Sequence, residues 1–167
     1  RLRSRAHSAR SFPTAEVSVR DSGMAAMLGG SMDILAKQKQ HVLILDVATS
    51  HTVGAAMLGD RIAGFFEYHT SDITLGRLEQ LMRDLCEGKL EHSQILREGG
   101  HGAFVRQSFG FDAVEVIIAT GPKRRLVEAS SLPMEYGAPY GDNMMTGTVG
   151  LLEALRRRKG LEPINYI

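Results

Sequence analysis

Residues 41–70, HVLILDVATSHTVGAAMLGDRIAGFFEYHT, constrain the fold more than any other stretch of this chain. Residues 42–45 form an apolar run of strand-favouring side chains, too short for a helix of its own. Asp46 follows, then the small polar turn Ala48-Thr49-Ser50-His51. A second strand is predicted over residues 52–58. Gly59-Asp60 is a two-residue hairpin signal, and residues 61–69 return as a third strand. Pairing Leu58 with Arg61 and continuing without interruption places Val53, Ala55 and Met57 on one face with Ile62, Gly64 and Phe66. Thr52, Gly54, Ala56 and Leu58 then share the other face with Arg61, Ala63, Phe65 and Glu67. Both faces are largely apolar, so the sheet is expected to be covered on both sides.

The flanking segments supply the covers. Residues 1–13 lack periodicity and read as a mobile or interdomain segment. Residues 15–20 alternate like a short strand, and residues 21–30 read as a helix of small residues and Met, continued over 33–37. Thr74 is a plausible N-cap for a helix whose Leu75, Leu78, Leu81, Met82 and Leu85 recur at helical spacing, with Gly88 at its end. A short helix is expected near residues 93–97, a buried strand over 114–119, a helix over 123–129 and a short strand within 134–140. Asp142 caps a last helix to residue 158, with Met145, Val149, Leu152 and Leu155 as its apolar stripe. Residues 14–160 make one domain and 161–167 a tail. The predicted class is α/β, with an antiparallel three-strand meander in a mixed sheet and helices on both faces.

Composition removes several functional classes. The 167 residues carry a formal net charge of +1, which argues against a nucleic-acid or membrane partner. The single cysteine, Cys86, forbids an intrachain disulfide, so a reducing, cytoplasmic compartment is expected. No apolar run approaches the roughly 20 residues of a membrane span. The basic run Arg156-Arg157-Arg158-Lys159 is read as a solvated helix end that opposes the macrodipole. The first residue is not Met, so the start is expected to lie inside a longer protein.

The order of elements resembles the second lobe of the actin, sugar-kinase and heat-shock-chaperone ATPase superfamily, which has a ribonuclease H-like fold. Residues 21–30 correspond to its small-residue connecting helix, and LDVATSHT, residues 45–52, to its second phosphate loop. VIIATGPK, residues 116–123, corresponds to the strand and turn that touch adenosine. The segments HTVGAAMLGDRIAGFFEYHT, GGHGAFV, TGPKR and GDNMMTGTVGLL resemble a prokaryotic family of unknown function within that superfamily, across residues 17–155. Members of that family are sometimes labelled pyruvate formate-lyase activating enzyme. That label implies a three-cysteine iron–sulfur cluster, which a chain holding only Cys86 cannot build, so radical chemistry is not expected.

The resemblance implies ATP and Mg²⁺ as ligands and a site at the strand carboxyl ends. Asp46 is its candidate catalytic carboxylate, as a ligand of a Mg²⁺-bound water or a phosphate-site group; a turn-capping aspartate is the structural alternative. Thr49, Ser50, His51 and Thr52 are candidate phosphate-loop contacts, and Thr120, Gly121 and Lys123 a candidate nucleotide edge. The loop holds Ala48-Thr49-Ser50 where the superfamily prefers glycines, and no other Asp-x-Gly-Thr pattern precedes Asp21. A first lobe is therefore an expected partner, supplied by a longer parent.

Glu67, His69, Gly100, His101 and Gly102 are read as the lining of a loop-covered pocket. Uninterrupted pairing puts His51 on the face opposite Glu67 and His69, so no metal is assigned. Three readings stay open: a lobe binding a nucleotide or another phosphorylated ligand, a non-catalytic dimerisation or regulatory module, and a metal-dependent hydrolase. In the second, exposed small-residue helices at residues 24–30 and 144–150 form a homodimer interface. Whether the chain is an enzyme is left open.

Overall fold

The structure, a computed structural model, describes residues 13–14 and 16–164. The readings placed on residues 1–12, residue 15 and residues 165–167 lie outside the described residues. Three strands form the expected meander: β1 (His41–Val47), β2 (His51–Leu58) and β3 (Arg61–His69). They are joined by β4 (Gly102–Val105), β5 (Val116–Thr120) and β6 (Met134–Tyr136) in the order β4-β3-β2-β1-β5-β6. Strand β1 runs antiparallel to β2 and parallel to β5, so the sheet is mixed.

Helices cover both faces, as the two-sided apolar patterning predicts. On one face α2 (Leu75–Glu87) packs Leu78, Leu81, Met82 and Leu85 onto Leu43, Leu45, Phe66 and Tyr68. Thr74 caps it by accepting the Arg77 N–H at 3.3 Å, and Gly88 ends it in the left-handed region at φ 75°. The short α3 (His92–Arg97) adds Ile95 to the same core. On the other face α1 (Ser22–Gly30) packs Ala26 and Met27 onto Val42, Ile44, Val53 and Ala55. Helix α4 (Thr146–Lys159) lies against α1.

The α1–α4 crossing corrects the expected interface. A Cβ on Gly29 would stand 1.8 Å from the Thr146 carbonyl oxygen, and one on Gly150 would stand 1.7 Å from the Ala25 carbonyl oxygen. The small residues are internal, because the two helices touch backbone to backbone. The apolar stripe of α4 is corrected too. Its buried residues are Thr146, Val149, Gly150 and Glu153, while Leu151 and Leu152 are exposed. A helix that must approach another this closely turns its smallest side chains inward.

Glu153 is 2% exposed and bonded to the Arg156 guanidinium at 2.6 and 2.8 Å and to Arg157 Nε at 2.6 Å. The Arg156 bond draws its carboxyl down to about 2 against the upward push of burial, with Arg157 assisting. The basic run is therefore only partly a solvated helix end. Lys159 pairs with Glu16 at 2.7 Å and Arg158 donates to Ser18 Oγ at 3.0 Å. These side-chain ties hold residues 16–20 as irregular chain outside the sheet, where a strand was expected. Because the folded carboxyl lies below its ordinary 4.5, its stabilisation is present above pH 4.5 and is lost as pH falls toward 2. Glu153→Gln is expected to lower stability by about 2 kcal/mol at pH 7. Paired thermal scans check this; the gap should close at low pH.

Other boundaries shift for local reasons. Residues 34–36 form a 3₁₀ turn instead of continuing α1: Asp33 accepts the Leu35 N–H at 2.9 Å and the Ala138 N–H at 2.7 Å. Residues 124–127 and 143–145 are 3₁₀ turns where helix was expected, the second capped by Asp142. The strand expected within 134–140 ends at Tyr136.

The correction with most consequence lies in the β2–β3 pairing. Met57 opposes Ile62, but Ala56 opposes Gly64, so Ala63 is an extra residue in β3. Such a bulge moves every later side chain to the other face. Phe65, Glu67 and His69 therefore share the α1 face with Val53 and Ala55, and His51 stands directly opposite His69. The Ala63 carbonyl accepts both the Arg106 N–H (2.7 Å) and the Gln107 N–H (3.0 Å) from the chain leaving β4.

Candidate functional site

The carboxyl ends of β1, β3 and β5 and the amino ends of β2 and β4 meet along one edge of the sheet. Every residue singled out from the sequence lies on or near this edge. The chain also divides here. After β1 it proceeds through β2, β3 and β4 on one side, and returns to β5 and β6 on the other. In open α/β sheets, ligands bind outside the strand carboxyl ends at such a switch point.

Asp46 sits at the switch point, paired across to Val53 of β2 and Thr120 of β5. It is half-buried, and among the described residues no hydrogen bond or ion pair engages its carboxylate. Burial pushes its carboxyl up to about 6. Gly121 closes over it at φ 91°: a Cβ there would stand 2.4 Å from Asp46 Oδ1 and 2.7 Å from the Val47 carbonyl oxygen. Only glycine combines that backbone conformation with that approach. The turn is fastened by the Lys123 N–H donating to the Val47 carbonyl at 2.9 Å. Asn143 Nδ2 donates to the Gly121 carbonyl at 3.1 Å.

The hydroxyls divide into two sets. Thr52 and Thr120 are fully buried and engaged within the fold. Thr120 Oγ1 lies 2.6 Å from Thr146 Oγ1, which itself donates to the Asn143 carbonyl at 2.7 Å. A hydroxyl carries one proton, so Thr120 is the donor to Thr146 and ties β5 to α4. Thr52 Oγ1 lies 3.0 Å from Thr70 Oγ1, which donates to the Ala48 carbonyl at 2.8 Å and braces the 48–50 turn. Thr49 and Ser50 are exposed, as is Lys123. Asn143 and Thr146 were not singled out from the sequence. Their place in GDNMMTG, just after a capping Asp142, was the available signal.

Beside Asp46, on the same face, three histidines cluster. Ring centroids lie 4.7 Å apart for His51 and His69, 4.6 Å for His51 and His101, and 4.4 Å for His69 and His101. His101 reaches them because its backbone N–H extends the β3 ladder, donating to the Glu67 carbonyl at 2.8 Å. Glu67 Oε1 lies 3.8 Å from His101 Nδ1. Gly100 and Gly102 shape this turn by packing: a Cβ at Gly100 would meet Ile95 at 2.7 Å, and one at Gly102 would meet the His92 ring at 2.5 Å. A separate cavity of about 480 Å³, lined by Met24, Met57, Ile62 and Arg106 among others, lies near the β2–β3 turn at the opposite edge.

Comparison with known proteins gives a family and a fold. The family described as "Putative pyruvate format-lyase activating enzyme (DUF1786)" matches residues 1–126. No curated protein matches in sequence. Among solved structures, the chain is similar to MreB5 of Spiroplasma citri bound to ADP, at 10% identity and a TM-score of 0.51, covering 95% of this chain and 67% of that one. It is also similar to the apo pSK41 ParM protein, at 12% identity and a TM-score of 0.39, covering 82% of this chain and 49% of that one. The Alp12 filament structure matches at 11% identity and a TM-score of 0.43, covering 89% and 56%. The chain thus spans about half the length of the ParM and Alp12 chains and two thirds of MreB5.

The activating-enzyme description does not fit the residues present. Cys86, the one cysteine, is fully buried in α2, and burial pushes its thiol up to about 12. It offers no thiolate, and a cluster needs several. Among the described residues no helix is long and apolar enough to cross a membrane. The match over residues 1–126 places the chain in this family, and the mixed sheet with the MreB5 similarity gives it an actin-like fold.

Proposed function

We propose that the chain is a lobe of an actin-type nucleotide-binding protein and takes the phosphate end of a nucleotide, with Mg²⁺, at the edge around Asp46. The observation that carries this reading is the Asp46 carboxylate: half-buried, unengaged among the described residues, raised to about 6, and set at the topological switch point. A carboxylate kept there without a partner costs stability, which marks it as a group held for a ligand. At neutral pH it is ionised and suits the water shell of a hydrated Mg²⁺.

The exposed Thr49 and Ser50 hydroxyls would donate to phosphate from one side. The Gly121 backbone and the Lys123 ammonium would approach from the other. Thr52 and Thr120 would hold the two turns in place. MreB5, the similar structure named above, is bound to ADP. Phosphoryl transfer rests on positioning and electrostatics from more than one phosphate loop, and this chain carries a single such loop. The reading is therefore one of binding, with turnover requiring a second lobe from a longer parent.

Thermal unfolding with and without Mg·ATP tests it. A ligand at 100 times its Kd adds roughly 2.7 kcal/mol, which raises Tm by several degrees at this size. A shift of that order is expected, and Asp46→Ala should abolish it while the variant still unfolds cooperatively. Absence of a shift at millimolar nucleotide would overturn the reading for this chain.

A further inference from the structure

We propose that His51, His69 and His101 form a binding site for one transition-metal dication of the zinc class, independent of the nucleotide reading. One ring nitrogen from each lies within 4.8 Å of the other two. His69 Nε2 and His101 Nε2 are 2.8 Å apart and share a hydrogen bond, whose proton a cation bound by both nitrogens would replace. A tetrahedral zinc site with Zn–N bonds of about 2.0–2.1 Å sets its nitrogens roughly 3.4 Å apart. Small side-chain rotations of half-buried rings suffice to reach it.

Two of the remaining ring nitrogens face groups of the kind that orient metal-bound imidazoles. Ser50 Oγ stands 3.0 Å from His51 Nδ1, and Glu67 Oε1 stands 3.8 Å from His101 Nδ1. An Nδ1–H donated outward leaves the Nε2 lone pair for the metal, and a carboxylate behind the ring fixes orientation and raises basicity. Imidazole nitrogens select zinc, copper, nickel or iron over magnesium and calcium, which prefer oxygen. Three histidines leave a fourth position open to water or a ligand oxygen, as catalytic zinc sites do. The bulge at Ala63 makes the site: without the extra residue, His69 and Glu67 would face away from His51. Bulges that re-aim side chains recur beside functional sites.

The full chain, stripped with chelator and dialysed, is titrated with Co²⁺ and then with Zn²⁺. The expected result is one equivalent of Co²⁺ giving the visible bands of a low-symmetry nitrogen site, displaced by one equivalent of Zn²⁺ and not by Mg²⁺. His69→Gln is expected to lower zinc affinity by about 100-fold or more, and His101→Gln, in the turn before β4, to do the same. Glu67→Gln should keep the Co²⁺ bands while weakening affinity roughly 10-fold, the mark of a positioning residue. His41→Gln, at the far end of β1, should leave binding unchanged. Failure to take up stoichiometric Co²⁺ or Zn²⁺, or undiminished uptake by both His69→Gln and His101→Gln, would overturn the proposal. Loss of Mg·ATP stabilisation alone would not touch it, because the two titrations read different groups.

Discussion

Gly150→Ala is expected to destabilise the fold by about 3 kcal/mol or more, enough to leave a domain of ordinary stability largely unfolded on mild heating. The added methyl would stand 1.7 Å from the Ala25 carbonyl oxygen and 2.7 Å from its carbon. Neither atom belongs to a flexible side chain, so the methyl can be admitted only by parting α1 from α4. That separation would undo the contact of Gly29 with Thr146 at the same crossing. Gly147→Ala, one turn earlier in α4, is the control. Nothing lies within 4 Å of its Cβ position, and alanine is the better helix former by up to about 1 kcal/mol. Urea denaturation of the two variants should therefore give opposite signs. Equal effects would mean that the helices are not in backbone contact.

Asp46→Asn should act in the opposite direction and should depend on pH. The folded carboxyl lies at about 6 against an ordinary 3.8, so the native state holds its proton more tightly than the unfolded chain does. The Asp46 contribution to stability is therefore most favourable below about pH 3.8, falls as pH rises through 6, and levels off above. At neutral pH the ionised group costs roughly 2–3 kcal/mol, since each tenfold change in proton affinity is worth about 1.4 kcal/mol. The neutral, nearly isosteric asparagine removes that cost. Its Tm should exceed the wild-type value by several degrees at pH 7.5, and the two should converge below pH 4. Equal or lower stability at pH 7.5 would show that the native fold satisfies the carboxylate. A gain in stability together with lost nucleotide response would identify Asp46 as a group kept at the fold's expense for a ligand.

The two variants bear on different levels of the molecule. The α1–α4 crossing sets the position of Thr146, which receives the Thr120 hydroxyl, and of Asn143, which holds the Gly121 carbonyl. The small-residue helices thus position the turn that closes over Asp46. Damage at Gly150 should propagate to the nucleotide edge. The histidine cluster, held by β2, β3 and the turn before β4, should be less affected.

What the sequence determined by itself is local. Gly59-Asp60 marks the hairpin, Thr74 and Gly88 bound α2, and the apolar run at 42–45 is the central strand. In each case the signal and the structure it produces lie within a few residues of one another. The same is true of Asp46 and the turn beside it, which place a carboxylate at a strand end whatever packs around it. From these elements the mixed sheet with two covered faces was legible, and so was the actin-like resemblance.

Tertiary structure decided what depends on residues distant in the chain. The stripe Met145, Val149, Leu152 and Leu155 obeys the rule for an amphipathic helix, yet α4 turns Gly150 and Glu153 inward. Contact with α1, more than a hundred residues earlier, excludes larger side chains, and Arg156 and Arg157 make a buried carboxylate tolerable. Residues 16–20 alternate like a strand, but they pair with no strand of the sheet and side-chain pairs with α4 hold them instead. The bulge at Ala63 carries no sequence mark, since uninterrupted pairing also buried apolar residues on both faces. It is held by a carbonyl accepting two N–H groups from the chain after β4, some forty residues on. A shift of one position in a two-sided strand exchanges its faces. That exchange, invisible in the local pattern, brings His51, His69 and His101 together.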